Sequence, residues 1–282
     1  MSSDKGASFA GTLAEFYDRY LVPLNFAPYA EIVADRAKAL LPRRVLETAA
    51  GTGVVTEALA RILPSDVTIT ATDLNEPMIE CGKLRPGMER VNWQQADALK
   101  LPFPAGAFDL IVCQFGVMFF PDKRASFNES FRVLIPGGTY LFVLWDDYAN
   151  MSNSPVWIAA QIVGDMLRRD PHTLVNPGYF DEPTIRADLT AAGFRDVNID
   201  RVARTARAAS ARDAAVITVQ GSMLRTAIET ADPSRLGEAT KAVEQVMLTR
   251  FGEGPVEGEM KALIVTATKP QILNADPVPR TP

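Results

Sequence analysis

The sequence predicts an α/β fold, an open and mostly parallel sheet of the Rossmann-like kind with helices on both faces. Three observations predict it. Strand-like apolar runs alternate with helical patterns from Arg43 to Trp145, the first run enters a turn of small residues, and acidic residues stand at the ends of successive runs.

The runs are Arg44 to Thr48, Val67 to Thr72, Val91 to Gln95, Phe108 to Gln114 and Thr139 to Trp145. Between the first two, Val55, Ala58, Leu59 and Ile62 recur at helical spacing and would cover one sheet face. Asn75 is the expected cap of the next helix, with Pro77 tolerated in its first turn. Pro136-Gly137-Gly138 is expected to end the helix carrying Phe131 and Leu134 and to reverse the chain into the fifth strand. Alternation is then interrupted over residues 148–181, which read as a lid insertion above the carboxyl edge of the sheet. A helix from Glu182 to Ala192, closed by Gly193, leads to a strand from Phe194 to Val202. Helices near Ala211 to Glu229 and Ser234 to Phe251 precede a last strand at Glu259 to Thr268.

At 282 residues the chain can bury one large core, so one catalytic domain over residues 1–282 is expected. Within it, residues 1–40 form a helical cap, 41–147 the ligand-binding core, 148–181 the lid, 182–270 the remaining sheet with extra helices, and 271–282 a loose tail. A net charge of −5 with no basic run gives no electrostatic footprint for nucleic acid. The amino terminus lacks an apolar core behind a basic start, and no segment approaches eighteen uninterrupted apolar residues. A cytoplasmic protein without membrane insertion is the expectation. Cys81 and Cys113 are far apart and suggest neither a disulfide framework nor a metal site, so no metal is expected.

The candidate ligand site starts at Val45 to Gly53, a strand running through Ala49-Ala50-Gly51-Thr52-Gly53 into a helix. Glycines there allow close approach to the backbone, and the helix amino terminus adds partial positive charge. Asp73 follows about 20 residues past Gly53, where a carboxylate accepts both hydroxyl hydrogens of a ribose. A nucleoside ligand is therefore expected, and charge selects among nucleosides. Glu47, at the end of the first strand, would repel a pyrophosphate, and Thr56 holds the place where a phosphate-binding turn wants Gly or Ala. S-adenosylmethionine has no phosphate and carries an ammonium and a sulfonium, both favoured by an acid. Asp97-Ala98, after the third strand, adds a carboxylate and a backbone N–H suited to an adenine edge.

The blocks VLETAAGTGVVTEALA, ATDLNEPMI, QQADALKLPFPAGAFDLIVCQFGVMFFPDK and LIPGGTYLFVLW resemble the successive motifs of class I S-adenosylmethionine methyltransferases, most closely the broad methyltransferase type 11 group that includes the ubiquinone and menaquinone biosynthesis enzymes. The resemblance runs from Val45 to Trp145. It implies a seven-stranded sheet whose last strand, at Ala262 to Ala267, is antiparallel. It also implies that Ala49, Gly51 and Gly53 pack on the methionine part, that Thr56 lies near the amino-acid moiety, and that Asp73 takes the ribose and Asp97-Ala98 the adenine. Leu74, Met78, Gln114 and Phe115 complete the implied cofactor residues, Gln114-Phe115 where the fourth strand meets cofactor and substrate. Two departures narrow the reading. Ala49 replaces the usual first glycine, and the carboxyl-terminal sequence associated with true quinone methyltransferases is missing, so that activity is not implied. Two scattered cysteines also argue against the arsenic-methylating branch.

Methyl transfer from a sulfonium is an in-line displacement with a neutral leaving group, so positioning and desolvation carry it. The sole histidine, His172, is the candidate base should the nucleophile have to lose a proton; Asp146, Asp147 and Tyr179 are weaker ones. Phe115 to Phe120, including Met118, with Trp145, Tyr148, Trp157 and Phe180, are candidates to wall an apolar pocket for an aromatic or isoprenoid-like small molecule. Tyr17 and Tyr20 are placed to close over the site from the amino-terminal helix. A homodimer stays open. The rival readings are an NAD-dependent oxidoreductase, against which Glu47 and Thr56 speak, and a regulator that binds S-adenosylmethionine without transferring its methyl group.

Overall fold

The structure, a computed structural model, describes residues 17–175 and 178–271. The cap before Tyr17 and the tail after Gln271 lie outside the described residues.

Seven strands form one sheet: β1 (Arg44–Thr48), β2 (Thr68–Asp73), β3 (Val91–Gln95), β4 (Phe108–Gln114), β5 (Leu134–Trp145), β6 (Arg195–Ala208) and β7 (Val256–Thr268). Their order is β3-β2-β1-β4-β5-β7-β6. β7 runs antiparallel to both neighbours and the other pairs are parallel, as the resemblance implied. Val45 to Thr48 are all buried, because β1 lies in the middle of the sheet with helices on both faces. Edge strand β6 instead carries Arg195, Asp200, Arg201, Arg204 and Arg207, charges that discourage pairing with another chain.

The helices are α1 (Ala27–Ala39), α2 (Val54–Ile62), α3 (Glu76–Lys83), α4 (Lys123–Val133), α5 (Pro155–Leu167), α6 (His172–Val175), α7 (Glu182–Ala191), α8 (Ala211–Gln220), α9 (Met223–Ala231) and α10 (Leu236–Phe251). A wide π-helical segment, Tyr17–Phe26, with Pro23 inside it, precedes α1. On α1, Tyr29, Val33 and Ala37 face inward at helical spacing. The Tyr29 hydroxyl donates to the carbonyl of Met260 at 2.9 Å, fixing this helix to β7. None of the described helices is long and apolar enough to cross a membrane.

Two expectations are corrected. Pro136-Gly137-Gly138 does not separate helix from strand: α4 ends at Val133 and β5 begins at Leu134, already paired with Phe108. The Pro-Gly-Gly segment is an irregularity inside β5, where the register shifts and Gly137 adopts φ +82°. The long helix over Ala211 to Glu229 is broken at Gly221-Ser222, and the Ser222 hydroxyl accepts the N–H of Leu224 at 3.1 Å to start α9.

Gly82, in α3, shows how closely the second layer packs. A methyl group there would lie 2.6 Å from the Trp93 ring. Gly82→Ala is therefore expected to destabilise by about 1–3 kcal/mol through overpacking, although alanine is the better helix former by about 1 kcal/mol. Urea unfolding measures it, and a gain in stability would show that the ring yields.

Candidate functional site

Strand order reverses direction between β1 and β4, so the connections leave to opposite sides and open a crevice at the carboxyl ends of these strands. A cavity of about 360 Å³ occupies it. Its wall takes Ala49 and Gly51 from the turn after β1, Asp73 and Asn75 after β2, Met78 from α3, Gln114 to Gly116 after β4, and Trp145 and Tyr148 after β5. Tyr17, Leu21, Asn25 and Phe26 close it from the π-helical side, and Val156, Val175, Gly221, Ser222, Met223 and Thr226 from the later helices.

Asp73 is buried and organises the polar end. One carboxylate oxygen accepts the Gly51 N–H at 2.9 Å, and the other accepts the Asn75 N–H at 2.8 Å. The Asn75 side-chain amide also donates to the second oxygen, at 3.3 Å, so the oxygen bound by Gly51 is the one that keeps acceptor capacity for a donor in the cavity. Gly51 has φ +56° and open space where a side chain would point, so a ligand can approach this backbone directly. Gly53 serves packing instead, since a methyl group there would meet the Trp93 ring at 2.9 Å.

Ala49 carries φ +52°, a left-handed conformation that costs a non-glycine residue about 1–2 kcal/mol. Its methyl group fits because residue 116 is glycine: a Cβ at Gly116 would stand 2.6 Å from it. Phe115 is also left-handed, at φ +56°, and stacks on Trp145 with ring centroids 3.9 Å apart. Phe26 packs against both rings, at 5.4 and 6.1 Å, so three aromatic faces from three elements form one apolar wall.

Glu47 is buried beneath the turn, where the Thr56 hydroxyl donates to it at 2.6 Å. Burial pushes its carboxyl up to about 8, against the opposing pull of the Thr56 hydrogen bond, so the neutral form prevails at neutral pH. It is thus not the standing negative charge that its strand-end position suggested. It borders a smaller cleft of about 40 Å³ shared with Tyr17, Ala49, Gly51 and Gln114. Gln114 donates to the Phe26 carbonyl at 3.2 Å while its own carbonyl oxygen is buried without a partner; the Asn25 carbonyl oxygen is in the same state. Burial, reinforced by the Asp73 charge, raises the Tyr17 hydroxyl far above its ordinary range and keeps it a donor.

The π-helical wall is tied to the turn by one cluster. Asp18 accepts the Thr52 hydroxyl at 2.6 Å and pairs with Arg85, which also reaches the Thr52 carbonyl and Glu57, each at 2.5 Å.

Of the residues singled out by sequence, Ala49, Gly51, Asp73, Met78, Gln114, Phe115, Gly116, Phe119, Tyr17, Trp145 and Tyr148 meet around the cavity. The others stand elsewhere. Thr56 is buried in α2, and Leu74 is exposed with its carbonyl accepting from Gln95. Asp97 accepts the Leu99 N–H at 2.9 Å within its own turn, and neither it nor Ala98 reaches the wall. Met118 is core, Trp157 stacks behind Tyr148, and Phe180 borders a shallow depression with Asp146 and Arg201. Tyr20 lies under the Arg19 guanidinium, outside the wall. His172 packs on Trp157, 3.9 Å from Asp147 and away from the cavity. Asp146 pairs with Arg201, and the Tyr179 hydroxyl donates to Asp188, so neither of these alternatives faces the cavity as a base. Sequence reasoning missed Asn25, Phe26, Val156, Val175 and the Gly221 to Thr226 elbow. Only the elbow had a local signal, Gly followed by a capping Ser.

Comparison with known proteins agrees with this architecture. The family described as "Methyltransferase domain" matches residues 46–142. The ubiquinone/menaquinone biosynthesis C-methyltransferase UbiE of Serratia proteamaculans is 30% identical over 172 residues, 55% of this chain and 67% of that protein. Methyltransferase ktnA of Aspergillus niger is 28% identical over 262 residues, 80% of this chain and 84% of its own. In structure the chain is similar to YcgJ of Bacillus subtilis, with TM-score 0.56 and 19% identity over 87% of this chain and all of that one, which concerns the fold alone. A reversing parallel sheet, an acid at the end of β2 and a glycine turn after β1 thus coincide with direct sequence kinship, and the chain belongs to the S-adenosylmethionine-dependent methyltransferases.

Proposed function

We propose that the chain methylates a small apolar or aromatic acceptor, held against Phe26, Phe115 and Trp145 beside the Ala49 to Gly51 turn. The observation that carries this reading is the continuity of one cavity: the polar end at Asp73 and the aromatic wall are parts of the same space. S-adenosylmethionine, when bound, supplies an electrophilic methyl group on a sulfonium.

The residues present fit that cofactor. Asp73 offers a buried carboxylate for a ribose, with one oxygen accepting only the Gly51 N–H and the other shared with the Asn75 backbone and side-chain amide; Gly51 leaves its backbone open, and Gln114 holds a buried carbonyl oxygen with no protein partner, which a ligand donor would satisfy. In this assignment Glu47 lies under the amino-acid end and Met78 beside the nucleoside, while Leu74, Asp97 and Ala98 stay off the wall. Tyr17 closes the site as a neutral donor.

Among the described residues, the titratable groups on the wall are Asp73, Tyr17 and Tyr148, and burial raises both phenols. Neither phenol can act as a base near neutral pH. The chain's contribution is then to orient the acceptor and exclude water. The chain is read as one catalytic unit, with Tyr148, Val156 and Val175 and the Gly221 to Thr226 elbow roofing the site.

A test uses S-adenosylmethionine with a labelled methyl group and three acceptor sets: apolar phenols and arylamines, zwitterionic amines such as sarcosine, and unstructured peptides. Label is expected in the first set only. Transfer confined to the amines or peptides would end the apolar-acceptor reading.

A further inference from the structure

Two large apolar side chains on the cavity wall face water instead of the core. Phe119, last residue of the short 3-10 turn Val117–Phe119 after β4, is 52% exposed, and Met223, first residue of α9, is 41% exposed. They come from different elements, and both line the same cavity. Exposed apolar side chains of this size are ordinary when scattered, but two bordering one apolar cavity mark a place where something apolar is covered. Other exposed large apolar residues, among them Leu41 and Leu84, lie off the cavity wall and do not share this property.

Volume points the same way. About 360 Å³ is near the lower end of what a single bound ligand occupies, yet this space has to admit the cofactor and the reacting end of an acceptor. An acceptor larger than one ring runs out of enclosed room and emerges at the mouth. Among the described residues, Asp73 is the one on the wall with a formally charged side chain, and it sits at the polar end, so the emerging part meets no charge from them. Near Met223 the wall offers only Ser222 and Thr226 as polar groups, and the Ser222 hydroxyl is occupied by the Thr218 carbonyl and the Leu224 N–H.

We propose that Phe119 and Met223 form an apolar gate that selects acceptors bearing an uncharged apolar chain, which leaves the cavity between them. This deepens the apolar-acceptor reading and rests on it. The methionine suits the task because its unbranched side chain repacks against chains of different shape, while the phenylalanine offers a flat face.

The test is a chain-length series on the full-length protein saturated with S-adenosylhomocysteine, with 4-ethyl-, 4-butyl-, 4-hexyl- and 4-octylphenol as probes below their solubility limits. Affinity is expected to rise up to about fourfold per methylene and to keep rising through octyl. In Phe119→Ala and Met223→Ala the slope beyond butyl should fall, and in the double variant it should vanish. Leu84→Ala, which removes an 85% exposed leucine away from the cavity, should leave the slope as in the wild type. The variant sites are exposed, and circular dichroism melts confirm that the variants fold. Binding of all four phenols with no dependence on chain length overturns the gate and leaves the apolar-acceptor reading standing, as does a slope that the double variant retains. Absence of binding by every phenol overturns both.

Discussion

Asp73→Ala is expected to weaken S-adenosylhomocysteine binding by at least about a hundredfold. Hydrogen bonds to a charged group contribute about 1.5–3 kcal/mol each, and a ribose would draw two from this carboxylate. The same change leaves the N–H groups of Gly51 and Asn75 without their acceptor, so the turn itself loosens. A lower melting temperature should accompany the lost affinity. Asp73→Asn is no safe substitute: one position of the amide turns N–H towards the Gly51 N–H, and the other turns it towards the Asn75 N–H. Calorimetry decides the matter, and a dissociation constant within threefold of the wild type would remove Asp73 from the site.

The second large effect concerns Glu47 and pH. Its folded carboxyl titrates at about 8, above its ordinary 4.5, chiefly because it is buried. The native protein therefore keeps a proton that the unfolded chain has already lost at neutral pH. Stability from this group is fully present below about pH 4.5, declines between 4.5 and 8 and is level above, which is the sign expected for an acid raised by burial. Glu47→Gln has the same shape and can still accept the Thr56 hydroxyl, but does not titrate. Relative to wild type it should gain stability as pH rises, on the order of 4 kcal/mol by pH 8.

Cofactor binding should show the opposite preference. A cation beside Glu47 favours its ionised form, so binding at pH 7 should release a proton and tighten towards pH 8. Titrations in buffers of different ionisation enthalpy count that proton, and Glu47→Gln should abolish the release and bind more weakly. A wild-type and variant pair with parallel stability from pH 5 to 8 would show that Glu47 is ionised throughout. If the expected gain is seen, Glu47 is a group whose burial costs the unliganded fold stability and is repaid on binding, the usual trade between stability and a preorganised site.

Much of the cofactor half could be read from residue order. The strand-like apolar runs locate β1 to β4 to within a residue, and a parallel sheet places the residues following each run along one edge. Ala49, Gly51, Asp73, Gln114 and Phe115 converge for that reason. His172, Trp157 and Phe180 did not follow, because the insertion folds largely as short helices whose rotation is set by packing and not by the register of the sheet. His172 turned its ring onto Trp157 instead.

What the sequence by itself determined is the alternation of strands and helices, the turn after β1 and the acid after β2, all of which are local patterns or follow from parallel pairing. Only the tertiary structure decided that Glu47 is buried and holds its proton, that Ala49 is tolerated because Gly116 leaves room, and that Asn25, Phe26 and Met223 share a wall with Trp145. Burial and the meeting of residues more than a hundred positions apart depend on how layers pack, and no periodicity along the chain encodes which side chain will lose its water.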